Sequence, residues 1–299
     1  MSNPFQALAV LPYTLRHPAV RDLAWVITSP PILDRAEQRH PLAASNWTAK
    51  PGKLADWLHE LDRSPALLTG WLTQGSDRRL GRYYELLWQF ALTHAPGVEL
   101  LGANLPLRTA THTLGELDLL IRDDEGVHHL EVAVKYYLAT GLPQSPEWLG
   151  PGGEDRLERK LSHFLNRQLP LSQSPEARAL FKTLGIVSVQ PWLWMGGYLF
   201  YPPAGATPFP SCSPHHLRGL WQRFDKAKPE EEGAWKLLPK QRWLAPAHRH
   251  DGHAPFDFNV EPHWPRLLVH FDEEDQEDHR LFWVPETWPL YRKGPNTDL

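Results

Sequence analysis

Apolar and polar positions alternate with a period of two along "GELDLLIRDDEGVHHLEVAVKYYL", residues 115–138. Leu117, Leu119 and Ile121 share one face of a strand, while Glu116, Asp118, Leu120 and Arg122 share the other. In the second half Leu130, Val132, Val134 and Tyr136 alternate with His129, Glu131, Ala133 and Lys135. The turn "DDEG" holds an even number of residues, so a hairpin pairing Arg122 with Val127 sets Asp118 opposite Glu131 and Glu116 opposite Ala133. Like charges opposed at a Cβ spacing of ~5 Å destabilise an antiparallel pair. A hard divalent cation such as Mg²⁺, which takes one or two carboxylates and keeps several waters, would turn that repulsion into a site. The competing reading is an amphipathic hairpin with one solvated face.

The surrounding pattern predicts the order helix, three strands, helix, strand. "SDRRLGRYYELLWQFALTH" reads as a helix, with Leu80, Tyr83, Leu87, Phe90 and Thr93 on one face and Arg78, Arg82, Glu85 and Gln89 as a polar stripe. "GVELLGANLPLRT" reads as extended, "GLPQSPEWLGPGG" as a loop, "EDRLERKLSHFLNRQL" as a helix and "LGIVSVQPWLWMGGYLFYP" as strands. Residues 1–75, with helices at "AVRDLAWVIT" and "KLADWLHELDRS", form a helical lead-in to a core over 76–202. Residues 203–299 read as a Trp/Pro-rich α+β region packed on that core, with a helix around "HHLRGLWQRF" and a solvated loop at "DEEDQED".

With 41% hydrophobic residues and 14 Trp in 299 residues, the chain can bury a substantial core. Its 30 Pro lie among Trp, Phe and Leu, which predicts long ordered loops. A net charge of −4 excludes a global positive field for nucleic acid, so any polyanion site is a local patch. The single Cys212 excludes an intramolecular disulfide and fits a reducing compartment. With no apolar run long enough to span a bilayer and no leader pattern, the expectation is a cytoplasmic protein without membrane association.

"GELDLLI" and "LEVAVK" resemble the two metal-binding strands of the PD-(D/E)xK nuclease superfamily, the restriction-endonuclease-like α/β fold. Together with "LGRYYE", "GPGGEDRLERKLSHFLNRQL" and the Trp/Pro-rich end, they are similar to the bacterial domain-of-unknown-function family 1853 along nearly the whole chain. The resemblance implies that Asp118 and Glu131 ligate Mg²⁺, with Mn²⁺ an alternative ion, and that Glu85 contributes from the first helix. It implies Glu116 as an extra or second-metal ligand and Lys135 as the catalytic ammonium that polarises water or steadies the phosphate. The family spacing puts lysine at position 133, which is Ala133 here. Lys135 keeps the same strand face one repeat further on, ~6.6 Å at about 3.3 Å per residue.

On the following helix Arg156, Lys160, His163 and Arg167 recur at helical spacing beside the apolar stripe Leu157, Leu161, Phe164 and Leu165, as a nucleic-acid contact or a solvated face. Gln168 falls near that stripe, positioned to reach metal waters or substrate, or to bond the helix end. His248, His250, Asp251 and His253 in "HRHDGH" offer zinc-type ligands without a hydrolase spacing, and Cys212 near His215 and His216 lacks a third partner. The leading expectation is a metal-dependent nuclease acting on DNA or RNA. An inactive nuclease-fold module that binds nucleic acid and a protein-interaction scaffold are the alternatives.

Overall fold

The computed structural model describes residues 3–73, 79–109, 111–224, 228–229 and 234–289. The protein is mixed α/β, with helices and a large sheet containing parallel and antiparallel pairs. Among the described residues no helix is long and apolar enough to cross a membrane. The described residues of Met1–Val134, Leu161–Gly197 and Ser211–His216 form one compact unit, and those of Lys135–Lys160, Tyr198–Pro210 and Leu217–Leu299 form a second.

The first unit opens with α1 (Leu11–Thr14), α2 (Pro18–Thr28), α3 (Asn46–Ala49), α4 (Pro51–Arg63) and α5 (Ala66–Leu72). Pro18 and Pro51 start α2 and α4, where a preset φ and a missing N–H do no harm. Next comes α6 (Leu80–His94), which α2 and α5 pack against. The Tyr83 hydroxyl of α6 donates to Asp22 Oδ2 at 2.9 Å, and the Trp71 indole of α5 donates to Leu86 O at 3.2 Å. The predicted polar stripe on α6 is corrected: residues 86–92 are buried all round, Gln89 included, and Thr93 is exposed. Arg78 lies outside the described residues.

Strands β1 (Glu99–Arg108), β2 (Thr113–Asp123) and β3 (Gly126–Leu142) form an antiparallel meander, and β5 (Gln190–Tyr201) follows β3 in strand order. The β2–β3 register holds Arg122 opposite Val127, as the turn parity predicts, and continues to Leu119 opposite Leu130. Behind it, α9 (Pro175–Thr183) buries Ala177 and Phe181 against Leu107, Leu117 and Leu120. The first halves of β3 and β5 belong to this unit and the second halves to the other.

In the second unit the expected loop after β3 is instead β4 (Ser145–Leu149), which pairs with β3 through Leu138 and Leu149. The helix expected around residues 215–224 is β6 (Leu217–Arg223), parallel to β5 and to β9 (Glu277–Val284). Two neighbouring strands supply its backbone partners, and Gly219 lets it approach: a Cβ there would meet the Phe200 ring at 2.3 Å. Against β9 runs β8 (Arg266–Phe271), and β7 (Trp235–Leu237) completes the order, around a core of Trp235, Phe258, Leu268, Leu281 and Trp283. The acidic run "DEEDQED" is a turn only in part. Glu277 begins β9, where its carboxylate accepts from the buried Arg280 at 2.7 Å and from Ala247 N at 2.6 Å.

"EDRLERKLSHFLNRQL" is not one α-helix. It forms α7 (Leu157–His163), a π-helical turn (Phe164–Gln168) and α8 (Leu169–Leu171). Pro170 cannot donate to the carbonyl four residues back, and its ring crowds that carbonyl, so the turn before it widens.

Candidate functional site

The β2–β3 ladder ends at Leu119–Leu130, one pair short of Asp118 and Glu131. Asp118 is therefore not in the predicted ladder position opposite Glu131. Its Oδ2 instead accepts from the Val132 backbone N–H at 3.2 Å, so a side chain takes over where strand-to-strand pairing stops. Separating the strands at this point relieves the direct opposition of two carboxylates.

Glu131 is fully buried, and each of its oxygens has a partner. His129 Nε2 lies 2.8 Å from Oε1, and the Gln168 amide donates to Oε2. Burial pushes His129 down to about 4, against the pull of the Asp118 charge, so the neutral imidazole donates Nε2–H to the carboxylate. Its Nδ1 is then a buried acceptor without a hydrogen-bond partner among the described residues. Gln168 Oε1 accepts from His163 Nδ1 at 2.9 Å, which extends the chain of hydrogen bonds to an exposed imidazole. The wide π-helical turn supplies this Gln168 position.

Asp118 is pushed up to about 8, first by burial, then by the charges of Glu131 and Glu85, with the Val132 N–H acting in the opposite direction. Glu85 is raised by its burial; the hydrogen bond from Arg82 opposes this, and Glu116 adds to it. The structure thus brings together Asp118, Glu131, Glu85 and Glu116, from α6, β2 and β3. Tyr84 fixes α6 beside β5, because Gly196 leaves the tyrosine hydroxyl room that a Cβ would take at 2.7 Å. The next residue, Glu85, lines a cleft of about 470 Å³ with Arg79, Gly81, Arg82, Asn104 and Glu116. There the Arg82 guanidinium donates to Glu85 Oε2 at 2.9 Å and to Asn104 Oδ1 at 2.8 Å.

Glu131 and Glu85 raise the affinity of Asp118 for its proton, and a hard cation would replace that proton with a larger positive charge. Asp118, Glu131, Glu85 and Glu116 supply the oxygen donors such an ion prefers. Two other groups among the described residues are tighter, with three ligand atoms within 4.8 Å of one another: Asp123, Glu125 and His128, and His270, Asp278 and His279. In the former, Arg39 already supplies the positive charge, at 2.7 Å from Asp123 and 2.8 Å from Glu125.

Lys135 belongs to the second unit, where its ammonium donates to Asp155 Oδ2 at 2.6 Å. The Tyr137 hydroxyl donates to the same oxygen at 3.3 Å. Arg156, also in that unit, pairs with Glu147 at 2.8 Å, and Lys160 is half-buried there. His163 and Arg167 are exposed in the first unit, and Arg167 lies on the π-helical turn, which breaks the even helical spacing of the predicted basic stripe. "HRHDGH" folds as a capped turn: Asp251 Oδ2 accepts from His248 N at 3.2 Å and stands 3.7 Å from His253 Nε2. Near Cys212, the His216 ring is bonded to Ser213 O at 2.5 Å.

Sequence reasoning missed the roles of His129, Arg79, Asn104 and Asp155. The available signal for His129 was its position two residues before Glu131 on the same strand face. The helix, meander, helix and strand around this carboxylate cluster define a class, an α/β protein with a group of acids, of which Glu131 is buried, at the end of a strand ladder. The particular family follows from the model of the domain of unknown function DUF1853, which matches residues 21–278, and the chain belongs to that family. No curated protein and no solved structure matches it.

Proposed function

We propose that the protein is a nuclease of the PD-(D/E)xK type that hydrolyses phosphodiester bonds in DNA or RNA with Mg²⁺, or with Mn²⁺ in its place. The observation that carries this reading is the end of the β2–β3 ladder, where Asp118 bonds the Val132 N–H beside the buried Glu131. The order α6, β1, β2, β3, helix, β5 supports the restriction-endonuclease-like core, with β4 as an added hairpin arm.

Asp118, Glu131 and Glu85 would hold the ion, with Glu116 as an extra donor. When bound, the ion lowers the pKa of a coordinated water and offsets charge on the phosphate. His129 and Gln168 orient the Glu131 carboxylate from both sides and fix which lone pairs remain available. Arg79 and Arg82 give the cleft guanidinium donors suited to a phosphodiester, and Glu85 balances Arg82 until the polyanion arrives. Lys135 has the assisting role by resemblance, and it must exchange Asp155 for substrate to fulfil it.

Ala133 at the family's lysine position and the Lys135–Asp155 ion pair favour a second reading, a module that binds nucleic acid without cutting it. Single- and double-stranded DNA and RNA incubated with Mg²⁺ or Mn²⁺ separate the two. Cleavage that disappears in Asp118→Asn and Glu131→Gln supports the nuclease. Nucleic-acid binding without cleavage under every condition supports the module.

A further inference from the structure

In the second unit, β8 and β9 close around residues 272–276 as a turn. Asp275 N donates to Asp272 O at 3.1 Å, Asp272 N donates to Gln276 O at 2.9 Å, and Asp275 takes a left-handed φ of 63°. Asp272 Oδ1 fixes the turn further by accepting from Glu274 N and Gln276 N, both at 2.9 Å. The ladder leaving this turn pairs Phe271 with Glu277 but His270 with His279, so Asp278 is an extra residue on β9. Neighbours on a regular strand point to opposite faces. A bulge re-aims the extra residue, and here Asp278 and His279 both come to lie beside His270.

His270 Nδ1 is 2.7 Å from Asp278 Oδ1, and His279 Nδ1 is 3.0 Å from Asp278 Oδ2. All three ligand atoms lie within 4.8 Å of one another. Side-chain exposure rises from 16% at His270 through 32% at Asp278 to 60% at His279, so one side of the group is open to solvent. The Trp235 ring, at 5.1 Å between centroids, backs His270.

We propose that His270, Asp278 and His279 form a binding site for a divalent first-row transition ion, with Zn²⁺ the species it takes. Two imidazoles, which are borderline donors, joined by one hard carboxylate form a set that suits Zn²⁺, and the two nitrogens discriminate against Mg²⁺, which prefers oxygen. In tetrahedral zinc with bonds of about 2.0–2.1 Å, ligand atoms stand roughly 3.3 Å apart. The nitrogen–oxygen spacings of 2.7 and 3.0 Å here would therefore widen by about 0.6 and about 0.3 Å on binding. Three protein ligands leave a fourth position to water on the exposed side. The bulge is what makes the site, because an unbulged β9 would turn Asp278 to the other face.

The test is calorimetric titration of the EDTA-stripped full chain with Zn²⁺ in excess Mg²⁺. One equivalent should bind, and His279→Ala and Asp278→Asn should each weaken it on the order of 100-fold, at least the loss typical of disturbing a metal's outer shell. His250→Ala, in the neighbouring histidine-rich turn, and Asp118→Asn should leave that equivalent unchanged. On the wild type, bound Zn²⁺ should also protect His270 and His279 from diethyl pyrocarbonate, a readout that needs no variant to fold. Absence of zinc binding, undiminished binding in the His279→Ala/Asp278→Asn double variant, loss in His250→Ala alone, or unprotected His270 and His279 would each overturn the proposal.

Discussion

Asp118→Asn replaces one carboxylate oxygen with an amide and keeps the acceptor that receives the Val132 N–H, so it isolates the charge at this position. Folded Asp118 holds its proton up to about 8, whereas a solvated aspartate releases it near 3.8. Between those values the folded state binds more protons than the unfolded chain, so this residue's contribution is fully present below 3.8 and is lost as pH rises through about 8. At about 1.4 kcal/mol per pH unit the loss is capped near ~6 kcal/mol. Solvent screening of a half-buried group brings it to on the order of 2 kcal/mol. The asparagine has no proton to lose. Urea denaturation in EDTA should therefore give similar stabilities near pH 5, and at pH 9 a variant more stable than wild type by about 2 kcal/mol, or roughly 4–8 °C in melting temperature. His40, pushed down by burial, titrates in both proteins and largely cancels from the difference. Mg²⁺ at about one hundred times its Kd should return about 2.7 kcal/mol to wild type and nothing to the variant. Parallel stability curves for the two proteins from pH 5 to 9 would refute the picture of mutually repelling carboxyls at the ladder end.

Gln168→Ala removes the amide donor from Glu131 Oε2 inside the protein, which should destabilise the fold by about 1–3 kcal/mol and weaken Mg²⁺ or Mn²⁺ binding about 10–100-fold; chemical denaturation and calorimetry check both. Gly219→Ala, with its Cβ directed at the Phe200 ring, should lose about 1–3 kcal/mol to overpacking, measured by urea midpoint. Lys135→Ala should slow single-turnover cleavage by on the order of 10²–10³ while leaving metal binding intact, as expected for a lost electrostatic donor. An equal loss in Asp155→Asn, which removes the charge that holds the ammonium, would assign both residues to positioning.

What the sequence by itself determined was local and periodic. The parity of "DDEG" and the alternation on either side were enough for the β2–β3 register, because a slip of one residue would turn every apolar side chain to the wrong face. The apolar pattern in residues 80–94 was long enough to mark a helix, although residues 86–92 proved buried on all sides, since a stripe reports one packed face and not how many neighbours arrive. Charged residues in otherwise apolar strands singled out Glu116, Asp118 and Glu131, whereas Glu85 was singled out only by the family resemblance. What only the tertiary structure decided was who meets whom. Parallel neighbours on both sides made a strand of Leu217–Arg223, and a short edge pairing made a strand of Ser145–Leu149. Asp155 took Lys135, and the π-helical turn before Pro170 carried Gln168 to Glu131 across 37 residues of chain. One extra residue on β9 turned Asp278 toward two histidines. Such pairings leave no period in the sequence, because they depend on where distant backbone lies, and that is set by the packing of the whole chain.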